Sequence, residues 1–180
     1  ERTLREIYFP AFETAVKKAQ PWTVMCSYNR LNGTYASEHK WLLTDVLRND
    51  WGFEGYVMSD WGAVRDRVKG IIAGMDLEMP GSSGANDRAI IQAVQEGNLK
   101  EETLDLAVER ILNIVYRYAE NRQNEAFSRE KDHQKAAEIA RQCIVLLKNE
   151  AQVLPLVQDE KIALIGGFAE KPRYQGGGSS

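Results

Sequence analysis

Val57 and Met58 form a short apolar run that breaks into Ser59, Asp60 and Trp61 before Gly62. Such a run reads as a buried strand, and a carboxylate set directly after it points beyond the sheet rather than into the core. There it can act as a nucleophile, a general base or a metal ligand, or it can cap the following helix. Trp61 favours sugar chemistry. An indole offers a flat apolar face that stacks on the C–H face of a pyranose while the adjacent carboxylate reaches the anomeric carbon; the bland alternative is a core aromatic. Tyr28 ends the preceding apolar run, Trp22 to Tyr28. In parallel α/β folds the carboxyl ends of the strands gather at one site, so Tyr28 and Asp60 could face the same pocket.

Other candidates carry less. Asp76 and Glu78 alternate with Met75, Leu77 and Met79, which is the pattern of one polar strand face, so neither a metal nor a cofactor is expected. Cys26 and Cys143 lie in apolar runs with no Cys or His at ligand spacing and read as buried free thiols. His39 and His133 stand alone, as surface or capping histidines.

The elements that must position these residues follow from periodicity. Glu1 to Ala19 carries Leu4, Ile7, Tyr8, Phe12, Ala15, Val16 and Ala19 at helical spacing, with Pro10 marking a kink or a fresh first turn. The strand Trp22 to Tyr28 runs into a polar loop, "SYNRLNG". Ser37 then caps a helix with an inner stripe of Trp41, Leu42, Val46 and Leu47. After the strand Tyr56 to Ser59 come a weaker helix over Val64 to Ile72 and a short strand, "MDLEM". Strands alternating with helices predict a parallel sheet with crossovers. Asn86 to Glu96 is a helix stopped by Gly97, and Lys100 to Ala119 is the clearest helix of the chain. Glu120 to Asp132 has the polar, aperiodic composition of a linker. Beyond it lie a helix, His133 to Leu147, with Ala136, Ala137, Ala140, Ile144 and Leu147 inward, a turn at "VLPL", and a short β-rich run, Lys161 to Ile165.

Bulk properties exclude some classes. The 180 residues, 43% hydrophobic and 27% charged, describe an ordinary globular chain. With 23 Lys plus Arg against 26 Asp plus Glu, a net charge of -3 gathers no polyanion, and nucleic acid is not an expected partner. No stretch approaches the ~18 to 20 apolar residues of a membrane span, and no basic segment followed by an apolar core opens the chain. A soluble protein without membrane partners is expected; nothing in the sequence sets its oligomeric state.

Five blocks in one order carry a resemblance. "VMCSYNRLNG", "LLTDVLRNDWGFEGYVMSDWGA", "AGMDLEMPG", "AVERIL" and "AAEIARQCIVLLKNEAQVLPL" closely resemble glycoside hydrolase family three, the β-glucosidase group, and the likeness runs from Glu1 to Ser180. It implies an α/β fold: residues 1–120 as the C-terminal part of a catalytic (β/α)8-type barrel, 121–132 as a linker, and 133–180 as the start of an α/β sandwich domain. It implies that Asp60 is the catalytic nucleophile, that Trp61 lines the sugar subsite, and that the Tyr28 hydroxyl holds the nucleophile ionised and oriented. "YQGGGSS" resembles a Gly-x-Gly-Ser loop of the second domain, with Gly176, Gly178 and Ser179 in its places and Ser179 touching the sugar. By composition alone, "GGGSS" is also a flexible linker.

The activity so implied is a retaining exo-acting β-glucosidase that takes a β-linked glucoside or short oligosaccharide through a covalent glycosyl-Asp intermediate. A retaining enzyme needs a second carboxyl group as acid and base. The family keeps that glutamate further along the chain than the Ser179 loop, and no position here matches it; the family's Lys-His sugar-binding pair is absent as well. A parallel sheet needs more than the three strands countable before the linker, and one that begins at residue 161 has no room to be completed, so both units are expected to be truncated at their outer ends. Trp61 speaks against the family's N-acetylglucosaminidases, while a β-xylosidase differs by one hydroxymethyl group. A non-catalytic carbohydrate-binding module, with Asp60 merely capping a helix, is the alternative from another class.

Overall fold

The computed structural model describes residues 1–123 and 126–173, which fall into two compact units divided near residue 124. The fold is mixed helix and sheet, as the alternating pattern requires.

In the first unit, β1 (Thr23–Cys26) and β4 (Tyr56–Ser59) pair in parallel, with Thr23 opposite Tyr56 and Cys26 opposite Ser59. The expected third strand contracts to one parallel bridge between Met58 and Leu77. Its neighbour explains this. The Asp76 carboxylate accepts the Val57 N–H at 2.8 Å, so a side chain takes the place of a ladder carbonyl and the regular pairing stops. Asp76 is accordingly buried rather than part of an open polar face.

The stretch after Tyr28 is more ordered than a loop. Arg30–Leu31 (β2) and Thr34–Tyr35 (β3) form a small antiparallel hairpin, turned by Asn32 and Gly33 with φ of 52° and 90°. Asn-Gly with both residues left-handed is the favoured two-residue hairpin turn, a signal present in the sequence.

Helices supply the crossovers. A 3-10 turn, Ala36–Glu38, leads into a π-type helix, Trp41–Asp50, that buries Leu43, Val46 and Leu47. Its buried face is rotated from the expected stripe, leaving Trp41 and Leu42 half-buried. Ser37 does not cap it. The Ser37 hydroxyl is buried and donates to the Ala63 carbonyl at 3.1 Å, while His39 Nδ1 accepts the Leu42 N–H at 3.3 Å. Ahead of β1, π-type turns Leu4–Tyr8 and Ala15–Ala19 flank α1, Phe9–Thr14, with Pro10 in its first turn. This stretch buries Phe9 and Val16 and exposes Ile7, Tyr8 and Phe12, the reverse of part of the expected face. Phe9 wins because Trp51 meets it edge-on, with ring centroids 5.3 Å apart.

After β4, α2 (Arg67–Ala73) starts at Asp66, whose carboxylate accepts the Lys69 N–H at 3.0 Å, and ends at left-handed Gly74. Ala85–Gln95 (α3) and Glu101–Glu120 (α4) follow. Ile71, Ala93 and Leu99 form a second small core beside the main one built on Val46, Val57 and Met75.

One glycine fixes how β4 enters. A Cβ on Gly55 would lie 2.7 Å from the Trp22 carbonyl carbon and closer still to its oxygen. Gly55→Ala must therefore push β4 from β1, and we expect a loss of about 1–3 kcal/mol, seen as a lower denaturant midpoint at unchanged slope. An unchanged midpoint would contradict the close approach.

The second unit is described by itself. Ser128 accepts the Lys131 N–H at 3.3 Å and starts α5, Arg129–Cys143, so helix begins within the stretch whose composition reads as linker. The helix stops at Ile144, which adopts extended backbone, and Ile144 and Leu147 are exposed rather than inward. Cys143 is exposed too, unlike buried Cys26. Asn149 closes the "VLPL" turn through both backbone groups of Leu154. Residues 161–165 form no strand: no partner strand lies beside them among the described residues, and Ile162, Leu164 and Ile165 stay exposed. A short α6, Gly167–Glu170, follows.

Candidate active site

The parallel register brings the carboxyl ends of β1 and β4 together. Asp60 extends the pairing by one step, its N–H donating to the Cys26 carbonyl at 3.2 Å. Beyond that point the backbone turns, with the Ala63 N–H donating to the Asp60 carbonyl at 3.1 Å.

Three side chains meet there. The Tyr28 hydroxyl lies 2.9 Å from Asp60 Oδ1 and 2.6 Å from the Trp61 carbonyl. Having one proton, it donates to one of these oxygens at a time. The Trp61 N–H donates to Asp60 Oδ1 at 2.6 Å. Oδ1 is thus the oriented oxygen, while Oδ2 has no hydrogen-bond partner among the described residues. The pKa of the Tyr28 hydroxyl is raised above its ordinary value of 10, first because its hydrogen bond to the Asp60 carboxylate stabilises the protonated phenol, with desolvation and the carboxylate's charge adding to the effect. Tyr28 stays a donor across the neutral range.

The alternatives for these residues lose their ground. Trp61 is 66% exposed, so it is not a core aromatic among the described residues. Asp60 caps no helix, because the next helix is capped by Asp66. Sequence reasoning joined Tyr28, Asp60 and Trp61, and the coordinates bring those three together. Ser179, with Gly176 and Gly178, lies outside the described residues.

Beneath the site sits a charge network that no local motif announces. The Asp76 carboxylate is fully buried; Oδ2 accepts from Arg48 at 2.6 Å and Oδ1 from Arg110 at 3.0 Å. Arg67 donates to the carbonyls of Met75 and Asp76 at 3.0 and 2.7 Å. Burial depresses the Arg48 guanidinium to about 10, and Asp76 works against that shift. With its carboxylate taken up by arginines, Asp76 is no metal ligand. Among the described residues no three His, Cys, Asp or Glu converge on a metal-sized site.

Comparison with known proteins bears on the whole chain. The family model described as "Glycosyl hydrolase family 3 N terminal domain" matches residues 1–114. Thermostable beta-glucosidase B of Acetivibrio thermocellus is 56% identical over 181 residues, covering 100% of this chain and 24% of that protein. An exo-alpha-(1->6)-L-arabinopyranosidase of Bifidobacterium breve is 50% identical, covering 99% of this chain and 25% of its own. The crystal structure of a Bifidobacterium adolescentis GH3 beta-glucosidase superposes with a TM-score of 0.85 at 48% identity, over 98% of this chain and 26% of that one. The chain spans about a quarter of the length of the curated relatives it matches. A family model matching well over half the residues, on top of identities near one half across the full length, makes this chain a member of glycosyl hydrolase family 3.

Proposed function

We propose that the whole protein is a retaining exo-acting β-glycosidase, foremost a β-glucosidase, and that Asp60 is its nucleophile. The observation that carries this reading is the Asp60 carboxylate at the joined carboxyl ends of two parallel strands, with one oxygen held by Tyr28 and Trp61 and the other unengaged among the described residues. Residues 1–120 are the C-terminal part of a (β/α)8-type barrel, 121–132 the linker and 133–180 the start of an α/β sandwich domain. The acid/base carboxyl group is supplied from elsewhere in the full-length polypeptide, and Ser179 is a further sugar contact.

The chemistry follows from the geometry. A β-linked glucoside stacks its apolar face on the exposed Trp61 indole, and Asp60 Oδ2 attacks the anomeric carbon while the acid protonates the departing oxygen. Oδ1 stays tied to Tyr28 and Trp61, so the carboxylate cannot rotate away. Water then releases the sugar by the reverse proton traffic.

An activated glycoside carrying fluorine at position 2 tests this on the full-length protein. It should trap a covalent adduct on the peptide containing Asp60; an adduct on another peptide refutes the assignment. The arabinopyranosidase named among the relatives keeps a second reading open, a pentopyranoside substrate. Comparing kcat/KM for a β-glucoside, a β-xyloside and an α-L-arabinopyranoside with one shared leaving group decides between the two.

Tyr28→Phe removes a hydrogen bond to a charged group, worth about 1.5–3 kcal/mol, so kcat should fall about 10- to 150-fold. Because the hydroxyl titrates above 10, the pH profile of the variant should keep its shape below that value. A near-wild-type kcat would show that Tyr28 does not orient the nucleophile.

A further inference from the structure

Asp60 and Trp61 hang between two fastenings, and both lead to one residue. On one side the Ser59 hydroxyl accepts the Met79 N–H at 2.8 Å and lies 3.2 Å from the Met79 carbonyl, to which it donates. On the other side the Gly62 N–H donates to that same carbonyl at 3.1 Å. The Ser59 N–H adds a bond to the Leu77 carbonyl at 2.8 Å. On the Leu77 side the regular ladder has already ended, so there only these bonds hold the segment, while on the β1 side the Asp60 N–H keeps its bond to the Cys26 carbonyl. Ser59 is 0% exposed, and its single hydroxyl is used as donor and acceptor at once.

We infer that Ser59 is a positioning residue for the reaction proposed above: by clamping the Met79 backbone it sets where the Asp60 carboxylate and the Trp61 indole stand relative to Tyr28. The inference rests on the reading of Asp60 as nucleophile. Without the hydroxyl, the Met79 N–H loses its partner, and on the Met79 side the Asp60–Trp61 span is fastened only through Gly62. A displacement of the reacting carboxylate by a fraction of an ångström to 1 Å costs about 10- to 100-fold in rate. Ground-state sugar binding is spread over a broad stacking face and over residues elsewhere in the full-length protein, so a small shift affects it less than the attack, which depends on the position of one carboxylate oxygen.

The test uses the full-length protein at a temperature well below every variant's melting point. Ser59→Ala should lower kcat about 10- to 100-fold with KM within about 3-fold, and should slow trapping by the 2-fluoro glycoside to the same degree. Ser59→Cys keeps the side-chain volume but hydrogen-bonds weakly, and should lose kcat in the same direction even where the alanine variant fails to fold. Leu99→Ala, which truncates the second core, should lose stability but keep kcat within about 2-fold. Wild-type kcat in either folded Ser59 variant, or an equal loss in Leu99→Ala, overturns the inference. The two readings fail separately. An adduct away from Asp60 in the unaltered protein removes both, whereas an adduct on Asp60 formed at one rate in all variants removes only the role of Ser59.

Discussion

Asp60→Ala in the full-length protein is expected to reduce kcat by at least about 10³-fold, since removing the nucleophile of a covalent mechanism costs up to about 10⁶ in other hydrolases. The fold should survive, because the side chain is only half-buried and its partners are an exposed phenol and one backbone N–H. Melting behaviour therefore stays close to wild type while turnover collapses. Loss of both together would reduce the role of Asp60 to a structural one. Turnover within tenfold of wild type would remove it from the mechanism.

The largest effect on stability is expected at Asp76. Its buried carboxylate answers Arg48, whose side chain is 8% exposed, and Arg110, which is 25% exposed. Asp76→Asn keeps the shape but leaves Arg48 charged, buried and facing an amide, and breaking a buried pair from one side costs about 3–5 kcal/mol. Arg48 has little means of escape: one of its nitrogens is held by the Gly55 carbonyl at 2.8 Å, and Nε is buried without a partner among the described residues. The measurement is the urea midpoint at unchanged slope. Arg48→Met combined with Asp76→Leu should recover part of the loss, since the more deeply buried of the two charges goes with its partner and Arg110, a quarter exposed, can turn to solvent, although the Val57 N–H still lacks its acceptor. A single-variant loss below about 1 kcal/mol would show that solvent or rearrangement already compensates Arg48.

The two carboxylates mark what could be read from the sequence. That Asp60, Trp61 and Tyr28 come together was legible because a strand-end rule depends on short apolar runs and the first residue after them. Asp76 was not, because its partners Arg48 and Arg110 are 28 and 34 residues away and no spacing links them. Its place in an alternating run suggested an open face, whereas charge pairing allows a carboxylate to be buried there. The hairpin at Arg30 to Tyr35 was legible in Asn32–Gly33 but hidden by its polar neighbours. The face of the amino-terminal helix was misjudged because period alone cannot say that Phe9, rather than Phe12, meets Trp51. In the second unit, the run at 161–165 has strand composition, but a strand exists only with a neighbour to pair with.

The arrangement around Asp76 also bears on how this region assembles in time. The contacts it makes close segments of 19, 28 and 34 residues, to Val57, Arg48 and Arg110. Loop-closure entropy grows only logarithmically, so the longest of these costs merely about 0.5 kcal/mol more than the shortest. Chain connectivity thus imposes almost no order on the three closures. A buried carboxylate with one arginine is less favourable than one with both, so the strand, the preceding helix and α4 are expected to lock onto Asp76 together, seen as one shared protection level in native-state hydrogen exchange. The loop bearing Asp60 continues that same strand, so its geometry is expected to form with it.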